Sequence, residues 1–285
     1  MISAFFFGLA TGGLLLLVTV GFSMIKRVEN FLNIAHADML TVGAYLAYLC
    51  NVILGLPFWL STVFSVAATA AIGLLVARLF FHPIRQHGPV ILLISSVGVA
   101  YILHGSIELI AGVDFKTYPL AVSKMWTLNG IPLITPLGFA IILLAAAAVV
   151  GLHFFLQYTI YGKAIRAMSN DIALAQIRGI PTGKVAALVW LIASGLAGLG
   201  GVLLAATTAL KPDLGFEQVL IILSASILGG LGSIYGVMAS SLLLGIAMEM
   251  SVLFLPSGYR EAVAFLVIIL VLLVKPEGLF GGQSS

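Results

Sequence analysis

Apolar runs close to the roughly 20 residues needed to cross a bilayer recur from one end of this chain to the other. They fall at about 3–25, 35–55, 59–81, 90–112, 134–157, 185–209, 218–229, 236–255 and 261–274. No other feature restricts the fold as strongly. A backbone in lipid must satisfy its own hydrogen bonds, so runs of this length become helices. Of the 285 residues, 61% are hydrophobic and 8% charged, against about 25% charged in an ordinary soluble domain. The expected fold is all-α: a polytopic integral membrane protein with about 8–9 transmembrane segments, some of them broken. The runs 218–229 and 261–274 are short for a full crossing, and such helices need protein or a water-filled cavity around their free ends.

Lysine and arginine set the orientation. With the loop 158–184 on the cytoplasmic side, strict alternation puts Lys26, Arg27, Arg78, Arg85, Lys163, Arg166, Arg178, Lys184 and Lys275 inside. Lys116, Lys124, Lys211 and Arg260 fall outside. That positive-inside bias makes the C-terminus cytoplasmic. A break within the membrane at 26–38, in place of a loop, would remove one crossing and reverse the N-terminus. The first 25 residues hold no Lys or Arg and no small-residue cleavage site, so they read as a retained span.

Several function classes drop out. Cys50 is the lone cysteine, which excludes an intramolecular disulfide and a cysteine metal site. The net charge of +3 comes without a basic tract, so nucleic-acid binding is not expected. No Gly-x-x-x-x-Gly-Lys-Ser/Thr motif is present, and the chain does not hydrolyse ATP by that route. No Ser/His arrangement, paired carboxylates or His-x-x-x-His suggests catalytic or metal chemistry.

Polar residues inside apolar runs are then the informative ones. A charge at mid-bilayer costs about 2.5–3.5 kcal/mol on insertion scales and usually faces protein or a cavity. The candidates are His36, Asp38, His104, Glu108 and Glu249. His104 and Glu108 lie one helical turn apart and share a face; Glu108 also lies near the outer end of its span, where it reaches water. Glu249 either lines a pathway or pairs with a loop cation. His153 sits at a basic boundary and reads as interfacial. Ser95 and Ser96, within the fourth run, either bond their own helix or face a cavity.

In Phe31–Leu40, "FLNIAHADML", Asn33 and His36 share a helix face while Asp38 points about 200° from His36. A continuous helix would aim one of them at lipid, so a break is expected here. Asp38 is the expected N-cap of a helix starting at Met39, with its carboxylate accepting backbone N–H groups. Asn33 and His36 then belong to the turn. Such a break is structural, or it lines a translocation route, as broken transporter helices do. The stretch reads as a hinge first and a ligand second. Later, "LGGLGSIYG" gathers Gly229, Gly230, Gly232 and Gly236 behind a short run. It reads as a sharp turn or a close helix contact, with Ser233 capping the next helix.

The most polar stretch is 161–184, "YGKAIRAMSNDIALAQIRGIPTGK". Ile165, Met168, Ile172 and Ala175 make a narrow apolar stripe beside Lys163, Arg166 and Asn170. Gly179 and Pro181 end the helix. Such an amphipathic helix lies along headgroups or docks into a partner's groove, apolar stripe first.

"GKAIRAMSNDIALAQIRGI" resembles the cytoplasmic loop of branched-chain amino-acid ABC permeases of the LivH type. "FLNIAHADMLTVGAYLAY" is similar to that family's Asn-Phe-Ala-His-Gly-Asp/Glu segment, "LLISSVGVAYIL" to a further element, "ILGGLGSIYGVMASSLLLGIAMEM" to its glycine-rich segment and "ILVLLVKPEGLFG" to its C-terminal signature. The matches run in family order from near residue 10 to residue 282. The chain departs at Ala37, where glycine is usual and where a Cβ disfavours positive φ.

The resemblance implies a multi-pass permease of the cytoplasmic (inner) membrane. It implies a single transmembrane domain over 1–285 and an importer for branched-chain or related small amino acids. A second related permease, two cytoplasmic ATPases using ATP and Mg, and an extracytoplasmic binding protein would complete it; this chain needs no cofactor. Gly162, Lys163, Arg166, Asn170, Asp171 and Gly179 would form the ATPase-coupling segment. Asn33, His36, Asp38, Ser95, Ser96, Gly229, Gly230, Gly232 and Ser233 would form the translocation path or core hinge. Relatives in this broad family carry urea, amides or aromatic acids. A stand-alone ion-coupled carrier or channel, with His36 and Asp38 as its sites, is the alternative class.

Overall fold

The computed structural model describes residues 1–120, 124–128 and 131–280. Its order is α1 (Ile2–Glu29), α2 (His36–Tyr48), α3 (Phe58–Val76), α4 (Pro89–Ala111), β1 (Trp126–Leu128), β2 (Ile131–Ile134) and α5 (Pro136–Tyr158). Then come α6 (Ile160–Asn170), α7 (Ile172–Ile177), α8 (Thr182–Thr207), α9 (Leu214–Gly229), α10 (Ile234–Ser251) and α11 (Arg260–Val274). Seven helical stretches among the described residues are long and apolar enough to cross a membrane, and α9 is a shorter apolar helix. The expected helical membrane fold is what forms. One small addition is the antiparallel β1–β2 hairpin, inside a stretch expected to be loop.

Helix α1 is the axis of the molecule, buried along most of its length after Gly13. It runs antiparallel to α10, with Gly8 and Gly12 against Ile246 and Leu242, and it packs on α8 where Gly21 meets Ala193. Helix α2 crosses α8 so closely that a Cβ on Gly201 would strike the Leu40 carbonyl. Without a hydrophobic drive between helices in lipid, close packing of small residues is what holds them together. By contrast α4, α5 and α11 turn many large apolar side chains outward, among them Ile94, Leu109, Leu143 and Leu273. That is the expected surface of helices bathed in lipid.

The two ends of the bundle differ in charge. At one end Glu29 of α1 pairs with Arg85 at 3.1 Å. Gly232 sits on Arg27, and Leu279 N–H bonds the Leu228 carbonyl at 2.7 Å. Helices α6 and α7 pack there too, so this end collects the nine basic residues that alternation placed together. At the opposite end Ser3 donates to the Pro132 carbonyl at 2.5 Å, and Lys116 and Leu210 exchange backbone bonds at 2.9 Å. Helix α1 therefore crosses completely. The break that follows it does not cost the chain a crossing, and the described N- and C-terminal segments lie at opposite ends.

Candidate functional site

The break between α1 and α2 is built from its backbone outward. Helix α1 stops at Asn30, which adopts the left-handed conformation at φ 57° and bonds back to the Lys26 carbonyl at 3.0 Å. Residues 31–35 then return toward mid-depth without regular structure. The His36 ring Nε2 bonds the Val18 carbonyl at 3.0 Å. Val18 lies eleven residues before Glu29, about 17 Å along the helix axis at 1.5 Å per residue. Helix α2 thus starts deep inside the bundle.

Its start needs side-chain help. Ser96 of α4 accepts from Ile34 N–H at 3.0 Å and donates to the Leu93 carbonyl at 2.7 Å. Ser96 is completely buried, while Ser95 beside it is half-buried. Two backbone bonds, His36 N–H to Asn33 and Ala37 N–H to Ile34 at 3.1 and 3.2 Å, close the turn. On the far side Thr41 Oγ1 accepts from Gly215 N–H at 2.8 Å, tying α2 to α9. No positive φ is needed at Ala37, so the departure from glycine is harmless there.

The expected role of Asp38 is corrected. Helix α2 begins at His36 rather than Met39, with Ala35 at its cap position and no side-chain cap bond. Asp38 is the third helical residue, and among the described residues neither carboxylate oxygen has a hydrogen-bond partner. It is fully buried. It stands in the first turn of α2, at the positive end of that helix's dipole. Asn33 Oδ1 and His36 Nδ1 are likewise buried without partners among the described residues. Nearly all buried polar groups in folded proteins are bonded, so a cluster that is not calls for an explanation.

The glycine-rich stretch is a different object. Gly230 and Gly232 hold φ of 94° and 88°, making the turn between α9 and α10. Ser233 caps α10 by accepting from Gly236 N–H at 3.2 Å, as expected. A Cβ on Gly229 would meet the Gly236 carbonyl carbon at 2.5 Å. This turn sits by Arg27, nine residues or about 14 Å along α1 from Val18. The structure does not bring Gly229, Gly230, Gly232 and Ser233 together with His36 and Asp38.

The basic loop is also rearranged. The single expected helix is two, divided at Asp171, whose carboxylate accepts from Leu174 N–H at 3.0 Å to cap α7. Thr159 caps α6 through Gly162 N–H at 3.0 Å. Gly162 is required because a Cβ there would overlap the Phe155 and Leu156 carbonyls. Gly179 ends α7 at φ 78°. Ile165, Met168 and Ala175 of the apolar stripe are buried against this chain's own helices. The stripe therefore faces neither headgroups nor a partner. Lys163, Asn170 and Asp171 are exposed, together with Leu174 and Ile177. Arg166 folds back, donating to the Leu156 carbonyl and to Gln157 Oε1.

The other polar candidates find partners. Glu249 takes Arg260 at 3.2 Å and Thr11 Oγ1–H at 3.1 Å, the loop-cation reading. His104 lies 3.6 Å from Glu108 and 3.5 Å from Asp213. His153 is exposed beside the Tyr235 hydroxyl at 3.1 Å. Sequence reasoning passed over Asp213, Thr41 and Tyr118, whose hydroxyl donates to the Ala44 carbonyl at 2.7 Å. Burial pushes the Tyr118 phenol up, so it remains a donor. These contacts join residues 74 to 174 apart in sequence, which leaves no local signal.

Residues 4–272 match the family model described as "Branched-chain amino acid transport system / permease component". The chain belongs to this family. It is 30% identical to the high-affinity branched-chain amino acid transport system permease protein LivH of Escherichia coli K12, over 97% of this chain and 94% of that one. The corresponding protein BraD of Pseudomonas aeruginosa is 28% identical over 96% and 94%. A probable branched-chain amino acid transport permease of Methanocaldococcus jannaschii is 27% identical over 94% and 89%. No solved structure matches this permease. The family and the seven long apolar helices make it a multi-pass protein of the cytoplasmic (inner) membrane.

Proposed function

We propose that this permease is one of two membrane subunits of an ATP-driven importer for branched-chain or related small amino acids. The whole of 1–285 forms one transmembrane permease domain. The observation that carries the reading is the family match along almost the entire chain. A second permease, two cytoplasmic ATPases that use ATP and Mg, and an extracytoplasmic binding protein are its partners, and the basic end faces the cytoplasm. The positive-inside rule supports that side.

Within this reading 158–184 is the coupling segment. Its exposed face, with Lys163, Asn170, Asp171, Leu174 and Ile177, meets the ATPase. Its buried stripe transmits the movement to the bundle. Gly162, Arg166 and Gly179 shape that segment without touching the partner. The broken helix is the polar part of the path. Asp38 takes the ammonium of a passing zwitterion, Asn33 and His36 belong to the core hinge around it, with the His36 ring turned toward α1, and Ser95 and Ser96 hold the break's α4 wall. Asp38 is fully enclosed in this conformation, so admission of substrate requires α2 to separate from the helices that cover it. The turn at Gly229, Gly230, Gly232 and Ser233 is a hinge at the cytoplasmic end.

Cysteine crosslinking from Lys163 and Asn170 tests the coupling face. Capture of an ATPase subunit is expected, and capture of lipid or neighbouring permease alone would refute it. Uptake by the reconstituted complex should require ATP. Uptake by the isolated chain on an ion gradient would establish the carrier alternative instead.

A further inference from the structure

A cavity of about 330 Å³ opens at the basic end, between the end of α1, the end of α3, the start of α4 and the start of α8. Its inner wall is apolar: Phe31, Phe81 and Trp190, with Leu74 and Leu92. Phe81 stacks on Trp190 at 5.3 Å between ring centroids. Its rim is basic, carrying Arg78, His82 and Arg85. Glu29 stands among them but is already committed. Arg85 Nε lies 3.1 Å from its carboxylate. The Arg85 Nη2 group, by contrast, is buried without a partner among the described residues. An unpaired guanidinium nitrogen beside an apolar wall suits an anionic oxygen attached to an apolar body.

The mouth identifies the source. The neighbouring surface of α3, its helical continuation Ala77–Phe81 and α4 is large and apolar, with Leu75, Leu79, Val90, Ile91 and Ile94 exposed. Acyl chains lying along these side chains would be continuous with the bilayer, while the cavity takes the head group and the first methylenes. Basic pockets between transmembrane helices near one membrane face are a known form of phosphate head-group recognition.

The geometry points to a binding site for an anionic phospholipid of the leaflet at the basic end, its phosphate on Arg85 Nη2 and Arg78, its chains on the α3–α4 surface. The site touches the α1–α2 break only through Phe31 and does not depend on which substrate is carried.

Native mass spectrometry of the detergent-purified chain with its associated subunits, after exchange into equimolar phosphatidylglycerol and phosphatidylcholine, tests this. Phosphatidylglycerol should be retained about fivefold or more over phosphatidylcholine. Arg78→Gln should remove most of that preference, and so should Ala187→Trp, which fills the cavity without touching a charge. Arg85→Gln alone strands Glu29, so it is made with Glu29→Gln, and the pair should lose the preference too. Equal retention of the two lipids, or an unchanged preference in these variants, overturns the site. Displacement of phosphatidylglycerol by millimolar inorganic phosphate or free leucine also overturns it, assigning the pocket to a small soluble anion.

Discussion

Two connectors in this permease interrupt helices, and they do it by opposite means. The turn between α9 and α10 lies at the basic end and is made from glycine: positive φ at Gly230 and Gly232, and bare backbone contact between Gly229 and Gly236. The connector between α1 and α2 returns to the level of Val18 and is made from polar side chains, with Ser96 and His36 serving backbone groups. Near the membrane face a turn needs only conformational freedom, because water and headgroups satisfy its backbone. At depth each exposed N–H and C=O must be given a partner. Ser96 and His36 are therefore required by the fold of the second connector. Asp38 serves no backbone group.

Five substitutions sharpen this contrast. Gly229→Leu should be the most damaging, since its Cβ has no room against Gly236; a loss of about 3 kcal/mol or more, seen as failure to recover folded protein, is expected. Normal yield would mean that the glycine turn is loose. His36→Ala should cost about 2–3 kcal/mol, combining a lost bond to Val18 with a buried cavity, measured as a lower unfolding midpoint in detergent. The two serines separate the connectors directly. Ser96→Ala strands the part-buried Ile34 N–H and should cost about 1–2 kcal/mol, whereas Ser233→Ala removes an ordinary cap worth about 1 kcal/mol. A larger loss for Ser233→Ala would reverse the comparison. Asp38→Asn should change stability least, within about 0.5 kcal/mol, because no bond in the fold depends on that carboxylate.

Hydropathy made the helices legible. The run expected at 90–112 is α4 at Pro89–Ala111, and that at 134–157 is α5 at Pro136–Tyr158. Helix α9 starts at Leu214, four residues before its expected run, because Gly215 and Glu217 lower the local hydropathy while tertiary contacts with α2 hold the first turn. A break in 31–40 was expected from the opposed directions of His36 and Asp38, but one helix carries and buries both, and the break at 30–35 falls before them. Its cap was not, because the bonds that close it come from Ser96 and Val18, far away in sequence. The stripe of Ile165, Met168 and Ala175 was legible as a face, but periodicity does not say what a face meets. It meets this chain's own helices. The pairing of Glu29 with Arg85 had no local pattern at all.

The central claim is that Asp38 is a transport residue set into a connector where Ser96 and His36 have structural roles. Its direct test is ATP-driven uptake of a radiolabelled branched-chain amino acid by the reconstituted complex carrying Asp38→Asn, with thermal stability and ATPase association measured on the same preparation. The account predicts wild-type stability and association with uptake reduced tenfold or more, by about 1.4 kcal/mol per decade. Wild-type uptake in a stable, assembled Asp38→Asn complex would contradict it.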